Sequence, residues 1–402
     1  MAERLIFHVD VNSAFLSWES VRRLSQGKSD LRDVPSAISG DPEKRHGVIL
    51  AKSLPAKAYG IRTGEPLITA LRKCPSLVLA PPDHALYRQM SAAFVEILRE
   101  FAPVVEQFSV DECYLDMSGT RMLYPDPIAT AHKIKDTIRD RLGFTVNVGV
   151  ARNKLLAKMA SDFEKPDRVH TLFPEEIPDK LWPLPVRDLY GIGRASAEKL
   201  ERQGIRTIGL LARLDASLIS AMLGDKMGQQ AHAFANGIDD SPVLSESEEA
   251  KGYSNSVTLS EDVRSLAQAH GVLLSLADTV ASRMRRDGAR AFCIGVTVRT
   301  HEFKTFSHQK KLSEPTDVTD EILAVSEKLL REMWDRRTPL RLMGISLTML
   351  TREDCEQISL FPDEKRERGK RIDRAVDAIR GQFGSGTIRR ASQLGDEEND
   401  SI

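Results

Sequence analysis

Leu5-Ile6-Phe7-His8-Val9-Asp10-Val11 is apolar at nearly every position, is only strand-length, and finishes on a carboxylate. It reads as a buried strand, and the elements after it arrange themselves around that strand. Residues 13–25 follow as a helix. From 37 to 79 the text is short, rich in Gly and Pro, and suggests a small subdomain of brief strands and turns. Helical spacing returns at 84–101. A hairpin comes next, 104–108 leading into Ser109-Val110-Asp111-Glu112-Cys113-Tyr114-Leu115-Asp116. A helix at 127–142, an alternating strand at 144–150 and a helix at 153–163, ended by Lys165-Pro166, complete the series. The order β-α-β-β-α-β is ferredoxin-like, in an α+β class, with the 37–79 piece inserted.

Residues 174–237 look helical and are broken by glycine. Residues 241–251 (SPVLSESEEAK) are polar and read as a linker. Residues 252–352 repeat the β-α-β-β-α-β order, with helices at 263–286 and 319–335 and strands at 293–303, 304–312 and 342–350, as though one architecture were used twice. The tail, 353–402, is charged. A length of 402 residues fits roughly two to four domains. At 41% hydrophobic and 29% charged the chain is neither collagenous nor mainly disordered. Cys74, Cys113, Cys293 and Cys355 form no CxxC pair, so a zinc knot and a redox pair are both unindicated and reduced thiols are expected. Without a signal-like start or a membrane-length apolar run, a cytoplasmic protein away from membranes is expected. Net charge is −1, but residues 251–352 hold 16 basic against 12 acidic side chains, a modestly basic module.

Asp10, Asp111 and Glu112 sit at or inside strands with apolar neighbours, where an uncompensated charge is costly. Spacing leaves two readings open: a surface turn or salt bridge, or a site for two divalent cations. Such ions take hard oxygen ligands and, roughly 3.5–4 Å apart, hold both the attacking and the leaving oxygen of a phosphoryl displacement. Residues 111 and 112 face opposite sides of a regular strand, so both serve one site only at a strand end or a distortion.

Four stretches, HVDVNSAFLSWE, AKSLPAKAYGIRTGEPL, FSVDECYLD and NVGVARNKLLAKMASDFEKP, together resemble the Y-family translesion DNA polymerases in order and spacing. The resemblance is densest over 1–166, good around Gly191-Ile192-Gly193, and collinear to about 352. It implies a ferredoxin-like palm (1–30 and 80–170), small inserted fingers (31–79), a thumb with a helix-hairpin-helix (171–240), a linker (241–251), a split-βαβ little finger (252–352) and a tail (353–402). It implies an enzyme adding dNTPs to a primer on a template, at low fidelity and across damage. Two magnesium ions would be held by Asp10, Asp111, Glu112 and the Val11 carbonyl. Phe15 would exclude a ribose 2′-hydroxyl, and Lys57 and Lys158 would grip the triphosphate. Ser109 would support the acidic pair. Asn12 stands where many relatives have Asp, and Leu54 where many have a Tyr that contacts the triphosphate.

Gly191 and Gly193 would present backbone N–H groups to a DNA phosphate without reading sequence. Arg283, Arg285, Arg286, Arg299, Lys304, Lys310 and Lys311 would offer backbone contacts to the duplex from the little finger. Gln357-Ile358-Ser359-Leu360-Phe361 resembles the bacterial sliding-clamp peptide, with Leu360 and Phe361 filling an apolar pocket and Gln357 at its rim. Primed template DNA, dNTP and the clamp are the implied partners of a monomer. Two rival readings use the same residues. One is a catalytically silent, clamp-tethered scaffold, which loss of the carboxylates would mark. The other is a nucleotidyl cyclase with a related palm, which would need neither helix-hairpin-helix nor clamp peptide.

Overall fold

The computed structural model describes residues 4–41, 47–245, 249–353, 364–384 and 387–388, in two compact units that part between Ser247 and Glu248. In the first, β1 (Ile6–Val11) is buried along its whole length and leads through Asn12 and Ser13 into α1 (Ala14–Ser25). The inserted piece contains β2 (Ser36–Ser39), β3 (Ile49–Lys52), α2 (Leu54–Ala58), α3 (Leu67–Lys73) and β4 (Val78–Ala80). Its sheet, ordered β3-β2-β4, closes on a small core of Ala37, Ile49, Ala56, Ile61, Leu67 and Cys74.

The chain continues through α4 (His84–Arg99), β5 (Val104–Gln107), β6 (Glu112–Asp116), α5 (Pro127–Leu142), β7 (Val146–Ala151), α6 (Lys154–Ser161) and β8 (Val169–Leu172). The sheet order is β5-β6-β1-β7-β8, with β1 central and antiparallel to both neighbours. Four of the strands give the expected ferredoxin-like order. β8, parallel to β7, is an addition that the text Val-His-Thr-Leu does not announce. One sheet face is covered by α4 and α5 through Phe94, Leu98, Ile134 and Ile138. The other receives α6, whose Leu155, Leu156 and Met159 continue into the core of the helical segment. α6 approaches β7 so closely that a Cβ on Gly149 would stand 1.9 Å from the Ala157 carbonyl oxygen. Only glycine fits there.

The helical segment comprises α7 (Arg194–Arg202), α8 (Ile208–Ala212), α9 (Ala216–Leu223) and α10 (Asp225–Ala235). The stretch read as a linker begins attached to this unit: Val243 is buried, and the Leu244 N–H donates to the Glu106 carboxylate at 2.8 Å.

The second unit holds β9 (Gly252–Val263), α11 (Leu266–Arg286), β10 (Arg290–Thr300), β11 (Thr305–Thr316), α12 (Thr319–Met333), β12 (Leu340–Thr351) and α13 (Glu364–Phe383). Element order is that of the first unit, but the strand order β11-β10-β12-β9 is not. In the first unit the gap in the split βαβ is filled by β6, from the hairpin; here it is filled by the last strand, β12. One architecture is therefore not used twice. β9 runs through Val263, where a helix was expected to begin. Ser265 and Gln268 form a reciprocal capping box that starts α11 at Leu266.

α13 packs on this unit by charge. Asp373, 3% exposed, accepts the Thr319 N–H at 2.8 Å and so caps α12, whose own N-cap residue, Val318, has no side-chain acceptor. Arg285 lies 3.2 Å from Asp373 and 2.7 Å from Asp377, and Arg380 lies 2.7 Å from Asp278. Arg285, expected on a DNA-facing surface, is thus enclosed by acids from a helix some ninety residues later. Among the described residues Cys74, Cys113 and Cys293 are buried free thiols, and no helix is long and apolar enough to cross a membrane.

Candidate active site

β1 and β6 carry the acidic residues to one end of the first sheet. Asp10 is the register partner of Glu112, and the Val11 N–H donates to the Asp111 carbonyl at 3.0 Å. β6 begins at Glu112, so Asp111 lies in the bend before it. This answers the geometric difficulty of two adjacent acids, since alternation across a strand does not bind a residue outside it.

Two ammonium groups stand among these carboxylates. Lys158, from the buried face of α6, approaches Glu112 at 2.9 Å, Asp162 at 3.3 Å and Asp10 at 3.4 Å. Lys165 lies 2.5 Å from the same Asp10 oxygen and 2.9 Å from Asp162. Asp111 has no lysine in this set; its Oδ1 accepts from the Ser109 hydroxyl at 2.7 Å. Among the described residues no three His, Cys, Asp or Glu side chains are arranged as they stand to hold a metal ion. Lys158 bridges Asp10 and Glu112 instead.

Charge explains the electrostatics. Burial raises the Asp111 carboxyl above its ordinary range, Asp10 and Glu112 add like-charge repulsion, and Ser109 partly opposes both. Burial also acts against Glu112, but the adjoining His8 ring and the Lys158 ammonium outweigh it and hold the carboxyl at about 2. His8 is itself fully buried, which depresses its pKa and keeps it neutral; its ring nitrogens lie 2.8 Å from Ser161 Oγ and 3.5 Å from Glu112 Oε2. Lys158 and Lys165 lose to burial and gain more from the acids, so both are raised. The two lysines thus pair with Asp10 and Glu112, and Asp111 is the carboxylate left crowded by like charge.

Asn12 takes no part in that exchange. Its amide donates to Asn147 Oδ1 at 3.1 Å, while its oxygen accepts from the Thr145 hydroxyl at 3.0 Å and the Asp167 N–H at 2.9 Å. Phe15 is half-buried on α1 and lies flat against Tyr87, with ring centroids 4.3 Å apart and planes 6° from parallel. Lys57 is exposed on α2, close enough to Lys52 to depress that amine's pKa after burial has done so. Leu54 is 56% exposed at the start of the same helix.

Gly191 adopts φ 86°, the left-handed turn that admits glycine, and Gly193 is the N-cap of α7. Tyr190 beside them has its phenol raised, first by burial and then by the charge of Glu112, and its ring stacks 6.4 Å from Phe234. In the second unit, Val298, Val296 and Ile294 of β10 point into the core, and Ile294 pairs with Lys310. Arg299 pairs with Thr305 and Cys293 with Lys311, so Arg299 and Lys311 share the face away from that core. Arg299 and Lys310 accordingly lie on opposite faces. Gln357, Leu360 and Phe361 lie outside the described residues. Sequence reasoning missed Lys165, taken only as a helix stop before Pro166. Its one available signal was its place seven residues beyond Lys158. Tyr87 had no signal beyond helical spacing.

Residues 9–162 match the model of the impB/mucB/samB family, 174–205 the IMS family HHH motif, and 250–360 the impB/mucB/samB family C-terminal domain. The chain is 42% identical over 396 residues to a DNA polymerase IV of Clostridium acetobutylicum, covering 98% of this chain and 99% of that one. It is 38% identical to a DNA polymerase IV of Moorella thermoacetica, covering 96% and 95%. It is 35% identical to DNA polymerase IV 1 of Bacillus subtilis, covering 98% and 94%. Among solved structures it resembles a Y-family DNA polymerase chimera with a TM-score of 0.77 at 24% identity, over 87% of this chain and all of the chimera.

Proposed function

Since this chain belongs to the impB/mucB/samB family of Y-family, DNA-directed DNA polymerases, in its DNA polymerase IV branch, we propose that it extends a primer 3′ end with dNTPs at low fidelity, across damaged template positions, as a cytoplasmic monomer. The observation that carries the reading is the meeting of Asp10 and Glu112 around Lys158, with Asp111 crowded against both by charge.

The donor set fits divalent cations. All three side chains are hard oxygen donors, and the Asp111 carboxyl is raised by burial and by Asp10 and Glu112, with the Ser109 hydroxyl only partly opposing that. Asp10, Asp111, Glu112 and the Val11 carbonyl would hold two magnesium ions. Bound there, the ions would supply neutralising charge for the phosphates and a lowered pKa for the primer hydroxyl.

The remaining tasks belong to the chain. Phe15, backed by Tyr87, makes a flat apolar floor against which a ribose 2′-hydroxyl would clash. Lys158, 2.9 Å from Glu112, and Lys57, exposed on α2, would be the two point charges that grip the triphosphate. Leu54 lacks a hydroxyl donor, so nucleotide affinity rests on those cations. Gly191 and Gly193 meet the DNA backbone, and Arg299 and Lys311, on the open face of the second sheet, meet the duplex. Residues 357–361 tether the polymerase to a sliding clamp. The test is magnesium-dependent primer extension. Asp111→Ala and Glu112→Ala should each abolish it while leaving DNA binding intact, and undiminished extension would refute the assignment of the acids.

A further inference from the structure

Glu19 is a charged side chain in an apolar place. It is 3% exposed, four residues beyond Phe15 and therefore on the same face of α1. A buried carboxylate is costly unless paired. Its partner is Arg22, whose Nη2 lies 2.6 Å away. Arg22 Nη1 in turn donates to Asp83 Oδ2 at 2.8 Å.

Asp83 is fixed by three further bonds. Its other carboxylate oxygen accepts the Ala85 and Leu86 N–H groups at 3.0 Å each and caps α4. Its carbonyl accepts the Tyr87 N–H at 3.1 Å. Arg22, held by Glu19 within α1, therefore ties that helix through Asp83 to the first turn of α4, with Glu19 and Asp83 each one turn from one of the stacked rings. Trp18 and His84 join the aromatic cluster: the Trp18 ring lies 5.8 Å from Tyr87 and 6.1 Å from Phe15, and His84 stands edge-on 5.8 Å from Tyr87 and 6.4 Å from Phe15. Tyr87 Oη and Trp18 Nε1 are both buried without a hydrogen-bond partner among the described residues. Their polar tips thus do not set the tilt of the rings, which leaves packing against the neighbouring rings and the register of the two helices to do so.

We propose that the ion chain Glu19–Arg22–Asp83 holds α1 and α4 in register and thereby sets the height of the Phe15–Tyr87 floor beneath the incoming sugar. Glu19 is a positioning residue for sugar discrimination. The proposal rests on Phe15 acting as the sugar gate, and the experiment separates the two ideas.

The measurement is kcat/KM for a dNTP against the matching rNTP on primed template, in the full chain. Phe15→Ala, the reference, should collapse the deoxy-to-ribo ratio. Glu19→Gln and Asp83→Asn (Asn still caps α4 but cannot pair with Arg22) should each lower the ratio about tenfold by lowering KM for the rNTP. The dNTP kcat should not change. Glu19→Gln added to Phe15→Ala should change nothing further, because both act through one floor. Wild-type ratios in Glu19→Gln and Asp83→Asn, with Phe15→Ala open, would overturn the ion chain and leave the gate standing. Equal losses for dNTP and rNTP would also overturn it, by showing a merely structural role. An unchanged ratio in Phe15→Ala would overturn the gate and the proposal with it. Should Glu19→Gln fail to fold, Asp83→Asn, at the surface, carries the same comparison.

Discussion

Lys158 is where the electrostatics of the site concentrate, since one ammonium touches Asp10, Glu112 and Asp162. Glu112 has an ordinary value of 4.5 and is held at about 2, so its folded pKa is depressed. Its contribution to stability is present above pH 4.5 and drains away as pH falls from there towards 2. In Lys158→Met the folded value moves back towards the ordinary one and that acid-side loss shrinks. Urea unfolding at a series of pH values reads this, and parallel profiles for wild type and Lys158→Met would contradict it. Asn12 gives a second, opposite case. Asn12→Asp removes the donor to Asn147 and buries a charge two residues from Asp10, at a cost of about 1–3 kcal/mol in denaturant unfolding. Extension activity should persist in the variant, because Asn12 spends its hydrogen bonds inside the fold. At this scale the acids were legible as residues that need a partner, because buried carboxylates at strand ends are costly. Spacing left a salt bridge and a metal site equally open, and only the family resemblance chose between them. Lys165 was not legible. A lysine before proline reads as the end of a helix, and what distinguishes it is an Asp10 oxygen 155 positions away.

α6 reaches the acids only because β7 offers a glycine. In Gly149→Ala the new Cβ meets the Ala157 carbonyl oxygen at 1.9 Å, so α6 must shift and take Lys158 with it. The expected cost is about 3 kcal/mol in unfolding free energy, together with weaker dNTP binding. Gly119→Ala, where nothing lies within 4 Å of the added carbon, should change neither, and similar losses in both variants would mean that the close approach is not what matters. α13 offers a parallel case. Asp373→Ala leaves Arg285 short of a buried partner and α12 without its cap, which costs about 3 kcal/mol of second-unit stability in thermal or denaturant unfolding. A loss below about 0.5 kcal/mol would show α13 to be an appendage. Periodicity exposed most helices and strands because each encodes its own burial. It could not expose Arg285, whose acidic partners come from a later helix, nor β8, four residues long and defined by its neighbour. Strand order was equally hidden. Two identical runs of elements wire differently according to which strand enters the gap, and that is decided by tertiary packing.

Across the whole chain, near-neutral charge conceals a directional surface. The second sheet's outward face carries Ser254, Ser256, Thr297, Gly344 and Ser346, small and polar, with Arg299 and Lys311 in register on it. Such a face lets a phosphate backbone approach closely while two cations neutralise it. Lys310 is exposed too, but it pairs with Ile294 and lies on the side where the helices pack. Each phosphate neutralised by a cation adds about 0.9 to the slope of log affinity against log salt. Arg299→Ala and Lys311→Ala should each therefore reduce that slope by about 0.9, equally for unrelated DNA sequences, and Lys310→Ala should leave it unchanged. Fluorescence anisotropy of primed duplex at several salt concentrations measures this directly. If Lys310→Ala alters the slope and Lys311→Ala does not, the duplex lies on the helical side, and the open face has some other use.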